Sequence, residues 1–311
     1  MNRVQWRGEQ ITGGTVAIGI FDGVHLGHQA ILARAKEVSH GRGVIALTFD
    51  PHPSQIFAPE RAPTMLVSLE RRVELLKQYG ADAVVVIDFD RNFAAKSPAD
   101  FVTEVLVNQL NISGVVVGEN FTYGHRALGK VADLIESGVI HGFVAEEVAL
   151  QELDGEVISS TRIRECIINA DIETAAKLLS RPHRLEGIVV HGEKRGREIG
   201  YPTANLGYST ATNTVPADGI YAGWLEVESN RWPAAISIGT NPTFAGERSR
   251  QVEAYALDQS GLNLYDEAAI IDFGWRLRDT LKFDGLEPLL VQMKKDCDQA
   301  RILTQASLDF S

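Results

Sequence analysis

The segment Gly19-Ile20-Phe21-Asp22-Gly23-Val24-His25-Leu26-Gly27-His28 constrains this chain more than any other. It follows an apolar run, Thr15 to Ile20, that reads as a buried strand, and it precedes a helix-like stretch, Gln29 to Val38. A strand that passes through a glycine-rich turn into a helix brings unpaired N–H groups and a positive dipole end to one point, which suits an anion. Two imidazoles one helical turn apart can face that same anion. Gly-x-Gly-x-x-Gly is not present in this turn, and no Gly-x-x-x-x-Gly-Lys-Ser/Thr occurs in the chain, so neither the dinucleotide fingerprint nor the P-loop applies.

The rest of the first 180 residues repeats the same alternation. Strand candidates are Thr15–Ile20, Gly43–Thr48, Ala83–Asp88, Gly114–Gly118 and Gly142–Val148. They are short, continuous and β-branched, as in a parallel sheet covered on both faces. Helix candidates lie between them: Gln29–Val38, Leu69–Tyr79, Pro98–Leu110 and Lys130–Ser137. This predicts an open, doubly wound α/β domain with its ligand site outside the carboxyl ends of the strands. Two short helices, Thr161–Asn169 and Ile172–Leu179, lead to Arg181-Pro182, which predicts a boundary between domains 1–181 and 182–311. Beyond it the pattern changes to strands Leu185–His191, Gly219–Glu228, Pro233–Ile238, Val252–Asp258 and Ala268–Trp275, then a helix, Leu286–Thr304. An antiparallel β-barrel with a C-terminal helix is the expectation.

Charge narrows the partners. The 311 residues carry a formal charge of −11, which disfavours broad binding of nucleic acid or an anionic membrane. Cys166 and Cys297 stand at no metal-ligand spacing, so neither a disulfide framework nor a zinc site is expected. Met1 to Gln10 lack an apolar signal core, and no apolar run is long enough for a membrane span. A cytoplasmic setting and small-molecule substrates are expected, with self-association left open.

Three further segments supply chemistry to the first half. Ser159-Ser160-Thr161-Arg162-Ile163-Arg164 sets hydroxyls and guanidinium groups at a helix start, where both can donate to phosphate oxygens. Asn120-Phe121-Thr122-Tyr123-Gly124 is polar and aromatic at a strand end. Phe49-Asp50-Pro51-His52-Pro53-Ser54-Gln55-Ile56-Phe57 is a proline-stiffened loop whose Phe57 suits a flat ring.

His25-Leu26-Gly27-His28 is similar to the His-x-Gly-His signature of nucleotidylyl transferases. Together with residues 49–57, 118–124 and 158–164, it resembles the Rossmann-like FMN adenylyltransferase half of bacterial riboflavin kinase/FAD synthetase. That resemblance implies ATP as adenylyl donor and FMN as acceptor. It places Gly19, Phe21, Asp22, Gly23, His25, Gly27, His28, Asn120, Ser160, Thr161 and Arg164 at the ATP and its phosphates. Pro51, Pro53 and Phe57 fall on the flavin side. The chain departs from many relatives in having Asn120-Phe121-Thr122-Tyr123-Gly124 in place of Asp-Phe-Arg-Phe-Gly.

The second half carries Gly187-Ile188-Val189-Val190-His191-Gly192, then Arg195-Gly196-Arg197-Glu198-Ile199-Gly200-Tyr201-Pro202-Thr203-Ala204-Asn205. Its glycines permit close approach to phosphates, and Thr203 and Asn205 offer oxygen ligands to a hard cation if ATP supplies the rest. Glu253 alternates with apolar Val252 and Ala254, which points it away from them. With Asp218–Gly223 and Ser237–Phe244, these segments resemble a riboflavin kinase domain. The resemblance implies that Glu253 is the catalytic base for the ribityl hydroxyl, that Thr203 and Asn205 hold Mg²⁺, and that Gly192, Arg195, Gly200 and Pro202 bind ATP. Riboflavin, FMN and FAD would be substrates and products, not prosthetic groups. A class I aminoacyl-tRNA synthetase is disfavoured, because Lys96-Ser97 is an isolated pair and the charge is wrong for tRNA.

Overall fold

The computed structural model describes residues 4–192, 199–209, 213–240 and 250–306. Contacts divide the chain into two units, one of residues 1–63 and 68–160, the other of residues 64–67 and 161–311.

The first unit is a six-stranded sheet. Its strands include β1 (Val4–Arg7), β2 (Thr15–Ile18), β3 (Val44–Asp50), β4 (Ala83–Asp88) and β5 (Gly114–Gly118). The order is β1-β4-β3-β2-β5, followed by the edge strand Val144–Val148. All pairings are parallel except that of β1 with β4. The central strands are buried on both faces, which is why their sequences are unbroken Val, Ile and Ala. From β2 the chain runs to β3 and β4 on one side, and β5 lies on the other. The strand order therefore reverses beside β2, and a doubly wound sheet opens its binding crevice at such a point. The helix α1 (Leu26–Ser39) starts there.

Two features differ from the sequence reading. β1 lies in the segment read only as a polar N-terminus; the alternation of Val4, buried, with Trp6, packed on the same core, was its signal. The helix expected over Pro98–Leu110 starts as an α-turn with a Ser97–Asp100 capping box, then widens over Phe101–Gln109 to i→i+5 bonding, as in Leu110 N–H to Val105 O.

The second unit is a closed six-stranded antiparallel barrel. Around it run His183–Val190, Ala204–Gly207, Arg250–Ala256, Asn230–Thr240, Gly219–Val227 and Ala268–Arg278. Ala204–Gly207 is a strand that the sequence reading missed; it is four residues long and follows Pro202. The helix Leu286–Gln305 buries Cys297 and Ala300 against Ala222 and Leu257. The helix Ile172–Leu179 packs on the strand Ala268–Arg278. Under it, the His183 ring is buried with Nε2 2.7 Å from the carbonyl of Thr214, and burial pulls its pKa down to about 4. Among the described residues, no helix is long and apolar enough to cross a membrane.

Candidate active sites

The turn between β2 and α1 is built from unusual backbone. Phe21, Gly23 and Val24 have φ of 55°, 80° and 41°, three left-handed residues within four positions. That conformation is uncommon for Phe and strained for a β-branched Val, and it persists here because both side chains are fully buried. Asp22 is also buried, and its carbonyl accepts a 2.9 Å bond from the Ser160 hydroxyl. His25 stands at the N-cap of α1 in extended conformation. Its ring stacks on that of His28 at 3.6 Å and 21°, and Phe21 meets His28 edge-on at 5.2 Å. Gly27 makes room for this pair: a Cβ there would lie 3.2 Å from His25 Cε1. The expected convergence of two imidazoles at a helix start is what the chain forms.

A cavity of about 940 Å³ opens from this turn, within the first unit. Gly19, His25, Gly27, His28 and Ser160 line one part, and Asn120 reaches it from the end of β5. Pro53, Phe57, Phe89, Phe93, Phe101 and Phe121 supply aromatic and apolar wall. Phe89 lies 5.8 Å from Phe93 and 6.4 Å from Phe57, in tilted and edge-to-face contacts. Phe57 remains 60% exposed. It ends a short helix, Pro53–Phe57, whose first turn is capped by His52 Nδ1 accepting from Ser54 N–H. Pro51 follows a cis peptide bond and shapes the loop without lining the cavity. Phe21, Asp22 and Gly23 likewise shape the turn from behind. Thr161 and Arg164 belong to the second unit, where Arg164 Nε donates to Thr64 O at 2.7 Å.

Sequence reasoning missed two groups here. Phe89 and Phe93 follow the carboxyl end of β4, the position at which such sheets place ligand contacts, so strand order was their signal. Arg72 is 1% exposed on the helix Leu69–Gln78. Burial lowers its pKa, and the fields of Asp22 and Asp50 oppose that shift. Its position with buried Leu75 and Leu76, at i, i+3 and i+4, marks it as inward-facing, unlike its neighbour Arg71, which pairs with Glu74.

In the second unit the short strand Ala204–Gly207 sets Asn205 opposite Glu253. Val252 and Ala254 are buried while Glu253 is half-buried, as the alternation predicts. Thr203 Oγ1 donates to Glu253 Oε2 at 2.9 Å. A Cβ on Gly192 would fall 2.4 Å from Asn205 Nδ2, so only glycine lets that amide lie there. Gly200 has φ of 86°, and Pro202 and Thr203 line a small cavity of about 40 Å³ together with Tyr265, on which the His191 ring stacks at 4.1 Å. Arg195 lies outside the described residues, as does Asn241–Phe244. The hydroxyl, amide and carboxylate oxygens gathered here fit a hard cation, and no cluster of three His, Cys, Asp or Glu occurs among the described residues. A cation at this place would therefore take part of its ligand set from phosphate and water.

Comparison with known proteins gives two family matches. The family described as FAD synthetase matches residues 8–162, and that described as riboflavin kinase matches residues 179–304. Curated relatives run the length of the chain. A bifunctional riboflavin kinase/FMN adenylyltransferase of Pseudomonas fluorescens is 37% identical over 95% of this chain and 94% of its own. That of Bacillus subtilis is 35% identical over 92% and 90%, and that of Escherichia coli K12 is 33% identical over 91% and 90%. A solved Streptococcus pneumoniae structure titled as a macrolide-efflux protein is 30% identical, superposes with a TM-score of 0.84, and covers 93% of this chain and 94% of its own.

Proposed function

The chain belongs to the bifunctional riboflavin kinase/FMN adenylyltransferase family, and from that premise we propose which of its residues perform each step. It phosphorylates riboflavin with ATP to FMN, then transfers AMP from a second ATP to FMN, giving FAD and pyrophosphate. The observation that carries the assignment of residues is that each unit gathers a constellation of its own. The His25–His28 stack opens on an aromatic-walled cavity, and Thr203, just ahead of one barrel strand, bonds Glu253 on the strand beside it.

For the kinase step, Glu253 accepts the proton of the ribityl 5′-hydroxyl as that oxygen attacks the γ-phosphorus and ADP departs. The Thr203 hydroxyl, bonded to Glu253, holds the carboxylate in place. Thr203 and Asn205 are the residues that would hold Mg²⁺, which when bound offsets phosphate charge. Gly192, Gly200 and Pro202 keep the surrounding backbone close to the nucleotide, with Arg195 assigned to the same ATP.

For adenylyl transfer, an FMN phosphate oxygen attacks the α-phosphorus and pyrophosphate leaves. The nucleophile is already an anion, so no carboxylate base is needed. His25 and His28 face the phosphates, the turn from Gly19 to Gly27 and the start of α1 add N–H donors, and Asn120 and Ser160 complete the nucleotide side. The isoalloxazine ring lies against Pro53 and Phe57, on the loop that Pro51 shapes.

We place the division of labour at 181/182, close to the start of the riboflavin kinase match at residue 179. Small-molecule substrates, no nucleic-acid partner and a cytoplasmic setting belong to the same reading, the second supported by the acidic charge and the third by the paucity of cysteine. The test is a time course with riboflavin, ATP and Mg²⁺, resolved by chromatography. FMN should rise first and FAD follow; silence with both riboflavin and supplied FMN would overturn the reading.

A further inference from the structure

Arg72 is among the largest fully buried side chains, and it comes from a helix that contributes nothing to the cavity lining. Its Nη1 donates to Ile20 O at 2.9 Å and lies 3.3 Å from both Phe49 O and Thr48 Oγ1. Nη2 reaches Asp50 Oδ1 at 3.4 Å. Thr48 Oγ1 itself donates to Ile20 O at 2.9 Å. One guanidinium therefore joins the carboxyl end of β2, where the phosphate turn begins, to the carboxyl end of β3, where the proline loop begins. Its Nε–H has no partner among the described residues. A buried cation with an unfilled donor is a poor way to gain stability, because desolvation outweighs much of what its partners return.

The charges nearby give it a second task. Asp22 and Asp50 are the carboxylates that act most strongly on Arg72. Asp22 is 2% exposed and lies in the turn that must receive a polyanion. Without a counter-charge, a buried carboxylate there would repel the triphosphate through a low-dielectric wall.

We propose that Arg72 is a positioning residue for adenylyl transfer: its guanidinium fixes the phosphate turn against the acceptor loop and offsets the charge of Asp22 behind the triphosphate. The proposal rests on the adenylyltransferase reading above. It separates two effects. The fork, which spans both strand ends, governs alignment of FMN with the α-phosphorus and so acts on kcat. The charge governs ATP affinity and so acts on the KM for ATP.

The test uses the full chain carrying Arg72→Lys or Arg72→Met, with FMN supplied, measuring kcat and the KM for ATP, the melting temperature, and riboflavin kinase activity as an internal reference. In Arg72→Lys a point charge remains but cannot span Ile20 O and Asp50; the KM for ATP should stay within about threefold while kcat falls about tenfold or more. In Arg72→Met both should suffer, with the KM for ATP raised about tenfold. A third variant, Asp50→Asn, alters a half-exposed carboxylate without opening the core, and should lower kcat with the KM for ATP unchanged. Wild-type kinetics in the Lys and Met variants, losses that merely follow the melting temperature, or an unaltered kcat in Asp50→Asn would overturn the proposal. If the unsubstituted chain makes no FAD from FMN, the fault lies with the functional reading instead.

Discussion

The Thr203 hydroxyl, one residue ahead of the strand Ala204–Gly207, donates to Glu253 Oε2 at 2.9 Å, and the antiparallel pairing of that strand sets Asn205 opposite Glu253. A proton acceptor and two neutral oxygen donors thus share one patch of barrel wall. Glu253→Gln keeps the shape and removes the basicity. FMN formation from riboflavin should fall by about 10²-fold or more, while FAD formation from supplied FMN should stay near the wild-type rate. Chromatographic assay of both products from one preparation checks this. Equal loss of both would show that the two sites are not separable in this way.

Imidazoles stacked 3.6 Å apart would repel each other if both were charged, and a phosphate in front of them would offset that repulsion. The double variant His25→Ala, His28→Ala should lose adenylyl transfer by about 10³-fold. Riboflavin phosphorylation in the same protein should persist, which separates lost chemistry from lost folding. Full retention of FAD synthesis would contradict the assignment.

Gly27→Ala is a finer probe. The added methyl would sit 3.2 Å from His25 Cε1, close enough that the ring must shift by a few tenths of an ångström. Alanine is otherwise favoured over glycine within a helix. The variant should keep or slightly raise its melting temperature while adenylyl transfer drops about tenfold. An unaltered rate would mean that the ring position is not critical.

Buried His183 predicts a pH effect on the second unit. Its folded pKa, about 4, lies below the ordinary histidine value of 6.5, so the unfolded chain binds the proton first as pH falls. The stabilisation is whole above about pH 6.5 and is lost progressively down to about pH 4, by roughly 3 kcal/mol in all. Melting followed between those pH values should show the decline, and His183→Gln should flatten it. A pH-independent melt of the unsubstituted protein would argue against a neutral buried ring.

Much of this could be read from the chain. β2, β4 and β5 declare themselves because a strand buried on both faces must be an unbroken apolar run. The meeting of the two histidines and the alternation of Glu253 with buried Val252 and Ala254 were legible because turn geometry and strand period are local. Ala204–Gly207 was not, since four residues after a proline show no period until their partner strands are known. Arg72 reads as one more helix arginine beside Arg71 unless its i, i+3, i+4 spacing with Leu75 and Leu76 is weighed; packing then buries it, while Arg71 stays part-exposed and pairs with Glu74. The aromatic wall was half-seen: Phe57 stood out beside its prolines and Phe121 in its strand-end segment, whereas Phe89, Phe93 and Phe101 come from separated segments that the fold assembles.

Phe57 leaves 60% of its surface in water, with Phe89 edge-on to it among the rings that line the cavity. An acceptor that lies flat on it removes that surface from solvent. The thermal signature of such burial is a binding enthalpy that grows more exothermic as temperature rises. Calorimetry of FMN binding across a temperature series would therefore register such burial in the slope of its heats, without any turnover at all.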